Sequence, residues 1–208
     1  YICAGSIWKI VVATKKHLPV SVLARLSIEK QTINQLIPTG GVVGNLFVIR
    51  SMQRHGVPSP LAIEALLIDG LGYYMAFAIA AAATLGILEV GGHLTNVIAW
   101  LIGIIFVLLV TIPLLIVWLI SHRMWKPPHW ITRWNTINES LKAIAQISPK
   151  NVVSPMLLTK TALLHIGIFL FDSATLWAML QSVHTPISAF TAFSAMIIGT
   201  MAATVSFI

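Results

Sequence analysis

The chain has 208 residues, of which 57% are hydrophobic and only 9% charged, with a formal charge of +7 and a mean hydropathy of +0.89. Soluble domains carry roughly 25% charged residues, so this composition excludes an ordinary water-soluble fold and predicts an integral membrane chain. The basic residues sit between apolar runs instead of forming one stripe or tail, which argues against a nucleic-acid partner and for topology signals and contacts to anionic lipid.

Residues 2–14 form an apolar run of helical length holding Trp8 and Lys9, closed by Lys15, Lys16 and His17, and read as the tail of a spanning helix. A chain that starts at Tyr1 and stops in an apolar run is expected to be a piece of a longer one. Residues 18–34 mix Arg25, Glu29 and Lys30 with Val20, Leu23, Leu26 and Ile28, the pattern of a helix lying at the membrane interface. The next apolar stretch, 33–52, is interrupted by Pro38, Gly40, Gly41 and Gly44. Freed backbone groups in hydrocarbon must be satisfied by protein or water, so a break of this kind is expected where it is buried or lines a cavity. Gly56 to Pro60 make a turn and a helix start.

The run 61–86 is long enough to span, and Ala65, Asp69, Gly72, Ala76, Ala80 and Ala83 fall on one of its faces as a close-packing seam. A loop at 89–96 holds no Lys or Arg, and 97–120 is an aliphatic span with Trp100 and Trp118 near its ends. Residues 121–152 are a basic loop, which the positive-inside rule places in the cytoplasm together with residues 15–54, leaving 89–96 outside. Two further spans, 155–180 and 187–208, meet at S-V-H-T-P, and the second carries a seam of Ser188, Ala192, Ala195, Gly199, Ala203 and Ser206. Either Gly72→Leu or Gly199→Leu is therefore expected to force packed helices apart.

The predicted fold is an all-α polytopic bundle with an interrupted or re-entrant helix, a single transmembrane domain over 1–208 with repeat cores at 33–83 and 155–208. Sliding the chain so that Met52 meets Met179 also pairs Ala62 with Ala189, Ala65 with Ala192, Gly72 with Gly199 and Ala76 with Ala203. With the two turns on opposite faces of the membrane, that is the arrangement of inverted repeats.

Ionisable groups at apolar depth carry the functional signal, because each costs at least about 2.5 to 3.5 kcal/mol facing lipid at a helix centre. They are Glu64, Asp69, Lys160, His165 and Asp172. His165 and Asp172 share a helix face that Thr161 and Thr175 extend, and Arg50 follows the broken segment closely enough to turn inward. The alternatives are structural: acids paired only to knit the bundle, and Lys160 and Arg54 snorkelling to headgroups. No HExxH, Walker loop, GxSxG or GxGxxG is present, and no ligand pair has the short spacing of a metal site, so neither a catalytic residue, a metal nor a cofactor is assigned. Cys3 is the one cysteine.

The pattern P-T-G-G-V-V-G-N, a short basic segment, H-G-V-P and an apolar helix carrying an acid resembles the flippase-like transmembrane region of lysylphosphatidylglycerol synthases and related membrane proteins. The second half, L-Q-S-V-H-T-P-I-S-A-F followed by a small-residue helix and V-S-F-I, is similar to the end of that region. The resemblance implies a module in a bacterial-type plasma membrane that binds and translocates a phosphate-bearing lipid or glycolipid headgroup. Its partners would be anionic phospholipid or a lipid-linked glycan, with room for a homo-oligomer. In that family the region can be joined to a soluble aminoacyl-transferase domain, so the membrane part of a lipid-modifying synthase is the alternative, and a non-transporting scaffold a third. Expected headgroup contacts are the backbone at Gly40, Gly41 and Gly44, then Asn45, Arg50, Asp69, His165 and Asp172, with Glu64 and Lys160 in reserve.

Overall fold

The computed structural model describes residues 1–13, 17–37, 41–92, 95, 100, 102–108, 110–111, 114–115, 118, 152, 154–185 and 187–206. Among the described residues all regular structure is helical, and six helices are delimited: α1 Ile2–Val12, α2 Val20–Leu36, α3 Val42–Arg54, α4 Ser59–Val90, α5 Pro155–Ser182 and α6 Ala189–Ser206. Two of them, α4 with 32 residues and α5 with 28, are long and apolar enough to cross a bilayer. At 11 residues α1 is shorter than a span, and at 18 α6 only approaches the roughly 20 that one needs. The basic loop at 121–152 lies outside the described residues except for a buried Val152, and the 97–120 span is described only in part.

Local chemistry explains each boundary. Pro19 is the N-cap of α2 with extended backbone, and its carbonyl accepts the Val22 and Leu23 amides at 3.2 and 3.4 Å. Helix α2 stops at Ile37, whose φ of −123° and ψ of 102° are those the ring of a following proline imposes. Gly41, with φ of 85°, then admits the left-handed conformation from which α3 starts. The interruption therefore falls between Leu36 and Val42. Gly44 is no part of it, because it lies inside α3 and serves packing.

Helix α3 closes with a Schellman turn: Gly56 at φ 78° donates to the Gln53 carbonyl at 2.8 Å and Val57 to that of Met52 at 3.0 Å. The same device closes α5, where His184 at φ 59° donates to Gln181 and Thr185 to Leu180, both at 3.1 Å. The pairing of Gly56 with His184 is one position away from the offset that aligns Met52 with Met179. Two side chains pin the second turn, Trp177 Nε1 and Gln181 Nε2 donating to the Ile187 carbonyl at 3.0 and 3.1 Å. Ser188 caps α6 by accepting the Thr191 amide at 3.0 Å.

The chain divides into two compact units, residues 1–72 with 114–161 and residues 73–113 with 162–208. In the first, α1 packs on α2 and α2 on α3. Its core holds Ile7, Trp8 and Val12 of α1, Leu23 of α2, Val48 and Met52 of α3, and Ala62, Ala65 and Ile68 of α4. In the second, Ala76, Phe77, Ala80 and Ala81 of α4 pack with Ile102, Ile105, Ala162, Phe169, Ile197 and Met201. Tyr73 and Phe77 meet Phe169 with ring centroids 5.6 and 5.8 Å apart.

The seam on α4 is buried at Ala65, Gly72, Ala76 and Ala80 and open at Ala83. A Cβ on Gly72 would collide with the Thr161 hydroxyl and stand 2.7 Å from its Cβ. The expected seam on α6 is corrected: Ala195, Gly199 and Ala203 are exposed, while Ala192, Ile197 and Met201 are buried. The contact runs through Ala192 and Ser194 into the large side chains of Ile197 and Met201, on a face turned away from Gly199. The two glycines should therefore diverge. Gly72→Ala is expected to lower the melting temperature of the purified protein, at a cost of about 1 to 3 kcal/mol for overpacking. Gly199→Ala, with nothing within 4 Å of the new methyl, should leave it unchanged or raise it, since alanine favours helix by about 1 kcal/mol.

Candidate functional site

Asp69 lies ten residues into α4 from Ser59, about 15 Å along the helix axis, well inside the apolar part of a spanning element. Its charged and hydrogen-bonding neighbours come from two other helices of the first unit. The Trp8 indole of α1 donates its Nε1–H to Asp69 Oδ2 at 3.1 Å. From α2 the Lys30 ammonium stands 3.6 Å from the same oxygen and 5.5 Å from the centroid of the Trp8 ring. Each member of the triad thus touches the other two. The ring face attracts the cation and its N–H edge attracts the anion, so one indole supports both charges of the pair.

Exposure decides how much this arrangement matters. The Lys30 and Asp69 side chains keep 23% and 13% of their accessible surface, whereas the Arg25–Glu29 pair of α2, at 2.9 Å, has an arginine 81% exposed. The surface pair contributes within the 0 to 1 kcal/mol of exposed pairs. The inner pair belongs to the class in which losing one partner strands a charge. The Lys30–Asp69 separation of 3.6 Å also exceeds the roughly 2.7 to 2.9 Å of a tight charge-assisted hydrogen bond, so the contact is the looser kind of ion pair.

Sequence alone does not mark Trp8 and Lys30 as site residues, because Lys30 reads as one of the interfacial charges of α2. The signal was present: Leu23, Ser27, Lys30 and Asn34 recur at spacings of four and three, and Leu23 and Ser27 are buried. Lys30 therefore follows the packed stripe and not the outer one.

Of the residues expected at the site, Gly40 lies outside the described residues and Gly41 is the left-handed N-cap of α3. Gly44 is buried with the Asn34 side chain across it, Cγ 2.9 Å from where a Cβ would stand. Next to it, Asn45 is half-buried, and the side-chain oxygens of both Asn34 and Asn45 are buried with no hydrogen bond among the described residues. Arg50 is exposed on the side of α3 opposite Gly44, Val48 and Ser51, so it does not turn inward as expected within this unit. Glu64 is half-buried and Lys160 exposed.

His165 and Asp172 belong to the second unit. His165 is buried edge-on to Tyr73, their centroids 5.6 Å apart. Asp172 is exposed, as is Thr175, so the polar stripe of α5 is covered at His165 and open beyond it. Among the described residues no three of His, Cys, Asp or Glu are grouped as a metal centre would need.

A family model described as the lysylphosphatidylglycerol synthase TM region matches residues 1–208, the whole chain. The chain belongs to this family. No curated protein and no solved structure matches it. Family membership and the two spanning-length helices α4 and α5 make this a transmembrane region associated with lipid-related function. For a lysylphosphatidylglycerol synthase TM region, an acid on the spanning helix α4, paired with a lysine from α2 and half-sheltered by an indole, is the feature with the most chemistry in it.

Proposed function

We propose that this lysylphosphatidylglycerol synthase TM region binds a phosphate-bearing lipid or glycolipid headgroup and lets it cross the membrane. The observation that carries the reading is the Lys30–Asp69 pair beside Trp8, because an anion inside the spanning helix α4, met there by a cation from α2, is costly to keep and marks a candidate path for a polar guest. Lys30 offers ammonium N–H donors to phosphate oxygens, and Asp69 holds the charge balance when no guest is present. The exposed Arg50 and Asp172, and the backbone after the α2–α3 break, are secondary candidates for headgroup contact. Reconstitution tests it: vesicles holding the protein should make an inner-leaflet headgroup reagent-accessible faster than empty vesicles. Equal rates would favour the scaffold reading.

The protein would sit in a bacterial-type plasma membrane with its basic loops in the cytoplasm. In a background lacking Cys3, single cysteines at Ser140 and Thr95 should then label from opposite sides of sealed vesicles. Labelling of both from one side would overturn that topology. The synthase alternative places group transfer in a separate soluble domain, and a lipid-linked glycan and a homo-oligomer stay open as partners.

A further inference from the structure

We propose that the open half of α5 is a docking face for one transmembrane helix of a partner protein, and that Asp172 pairs there with a lysine or arginine of that helix. Thr161, His165, Ile168, Asp172, Thr175 and Met179 recur at alternating spacings of four and three, the period of a seam along which one helix packs on another. Helix α4 covers the start of this seam. The Thr161 side chain lies against Gly72, and the His165 ring meets Tyr73 edge-on with centroids 5.6 Å apart. Cover thins at the half-buried Ile168 and ends beyond it, where Asp172, Thr175 and Met179 are all exposed. The bare face is thus the continuation of an interface that is already formed.

Charge says what the covering element must carry. Asp172 stands ten residues before Ser182, the end of α5, about 15 Å along the helix axis. Among the described residues it makes no hydrogen bond or ion pair. An acid at that depth is costly against lipid, so such groups pair or face water. The neighbours Leu170 and Phe171 are exposed and apolar, which suits a packed helix better than a water-filled path. A second copy of the chain is the poorer occupant. Two copies related by an axis normal to the bilayer set equal depths side by side, bringing Asp172 against Asp172 with like charges. The partner is therefore a different chain, whose helix places one basic residue at this depth among apolar side chains that complete the seam. Such a pairing is independent of the transport reading.

Energy transfer in phosphatidylcholine vesicles tests it. The full chain carries a donor dye on Val183→Cys, an exposed position beside the end of α5, in a background lacking Cys3. The probes are acceptor-labelled synthetic helices of leucine and alanine with Lys, Leu or Asp at the central position. The Lys helix should associate about tenfold more tightly than the Leu helix, the size of one strong interhelical polar contact. The Asp helix should associate no more tightly than the Leu helix. Asp172→Leu should bring the Lys helix down to the level of the Leu helix, and Asp172→Asn, which keeps size without charge, serves if the first variant fails to fold. Equal association of the Lys and Leu helices with the parent overturns the proposal, as does a preference for Lys that survives the loss of the carboxylate. Transfer between donor- and acceptor-labelled copies of the parent that the Lys helix cannot displace also overturns it, because the face would then belong to a second copy.

Discussion

Asp69→Ala is expected to be the most damaging single substitution among the described polar residues, costing about 3 to 5 kcal/mol by analogy with broken buried ion pairs. It strands the Lys30 ammonium and removes the acceptor of the Trp8 N–H together. The loss should appear as a large drop in melting temperature of the detergent-solubilised protein. The converse is equally diagnostic. Replacing both charges by apolar groups of similar size, in Lys30→Met/Asp69→Leu, removes the unpaired charge and should restore much of the stability, since such exchanges are often neutral or favourable. A double variant as unstable as Asp69→Ala would mean that packing and the lost acceptor of the Trp8 N–H, and not charge, dominate.

Gly5→Ala should rank second. A Cβ at Gly5 would stand 2.6 Å from the Ala24 nitrogen and 2.9 Å from its Cα. These are backbone atoms of a neighbouring helix, which cannot rotate aside as a side chain can. The methyl must push α1 from α2, at about 1 to 3 kcal/mol or more. Because Trp8 lies one turn along α1 and Lys30 on α2, the same displacement should loosen the triad. Gly70→Ala, where nothing lies within 4 Å of the new methyl, provides the control. Equal melting temperatures for the two variants would show that α1 and α2 do not approach as closely as described.

The sequence made the helical class, the break after Ile37 and the turns at Gly56 and His184 legible, because proline, glycine and short polar turns act locally. Asp69 was legible as well, being an acid on a face of small residues. Its partners were not. Nothing local distinguishes a lysine that snorkels from one that reaches inward until the neighbours of its helix are known, and Lys30 is settled by α1 and α4. Arg50 is placed by its own helix: nearness in sequence to a glycine-rich break suggests an inner position, whereas within its unit the buried stripe of α3 runs through Gly44, Val48 and Ser51 and leaves Arg50 exposed. The α6 seam holds at Ala192 and fails beyond it, because small residues form close contacts only where a partner is present, and among the described residues nothing lies within 4 Å of a Cβ on Gly199.

The most direct test of the central claim is the rate at which a phosphate-bearing headgroup becomes accessible in vesicles holding the Lys30→Met/Asp69→Leu variant, compared with the parent at equal folded protein. Here the charges are gone and most of the packing is kept, so a comparison at equal folded protein separates transport from stability. The rate should fall to that of empty vesicles while the protein still inserts and melts above Asp69→Ala. A rate equal to the parent's would contradict it, leaving the triad a device for holding α1, α2 and α4 together.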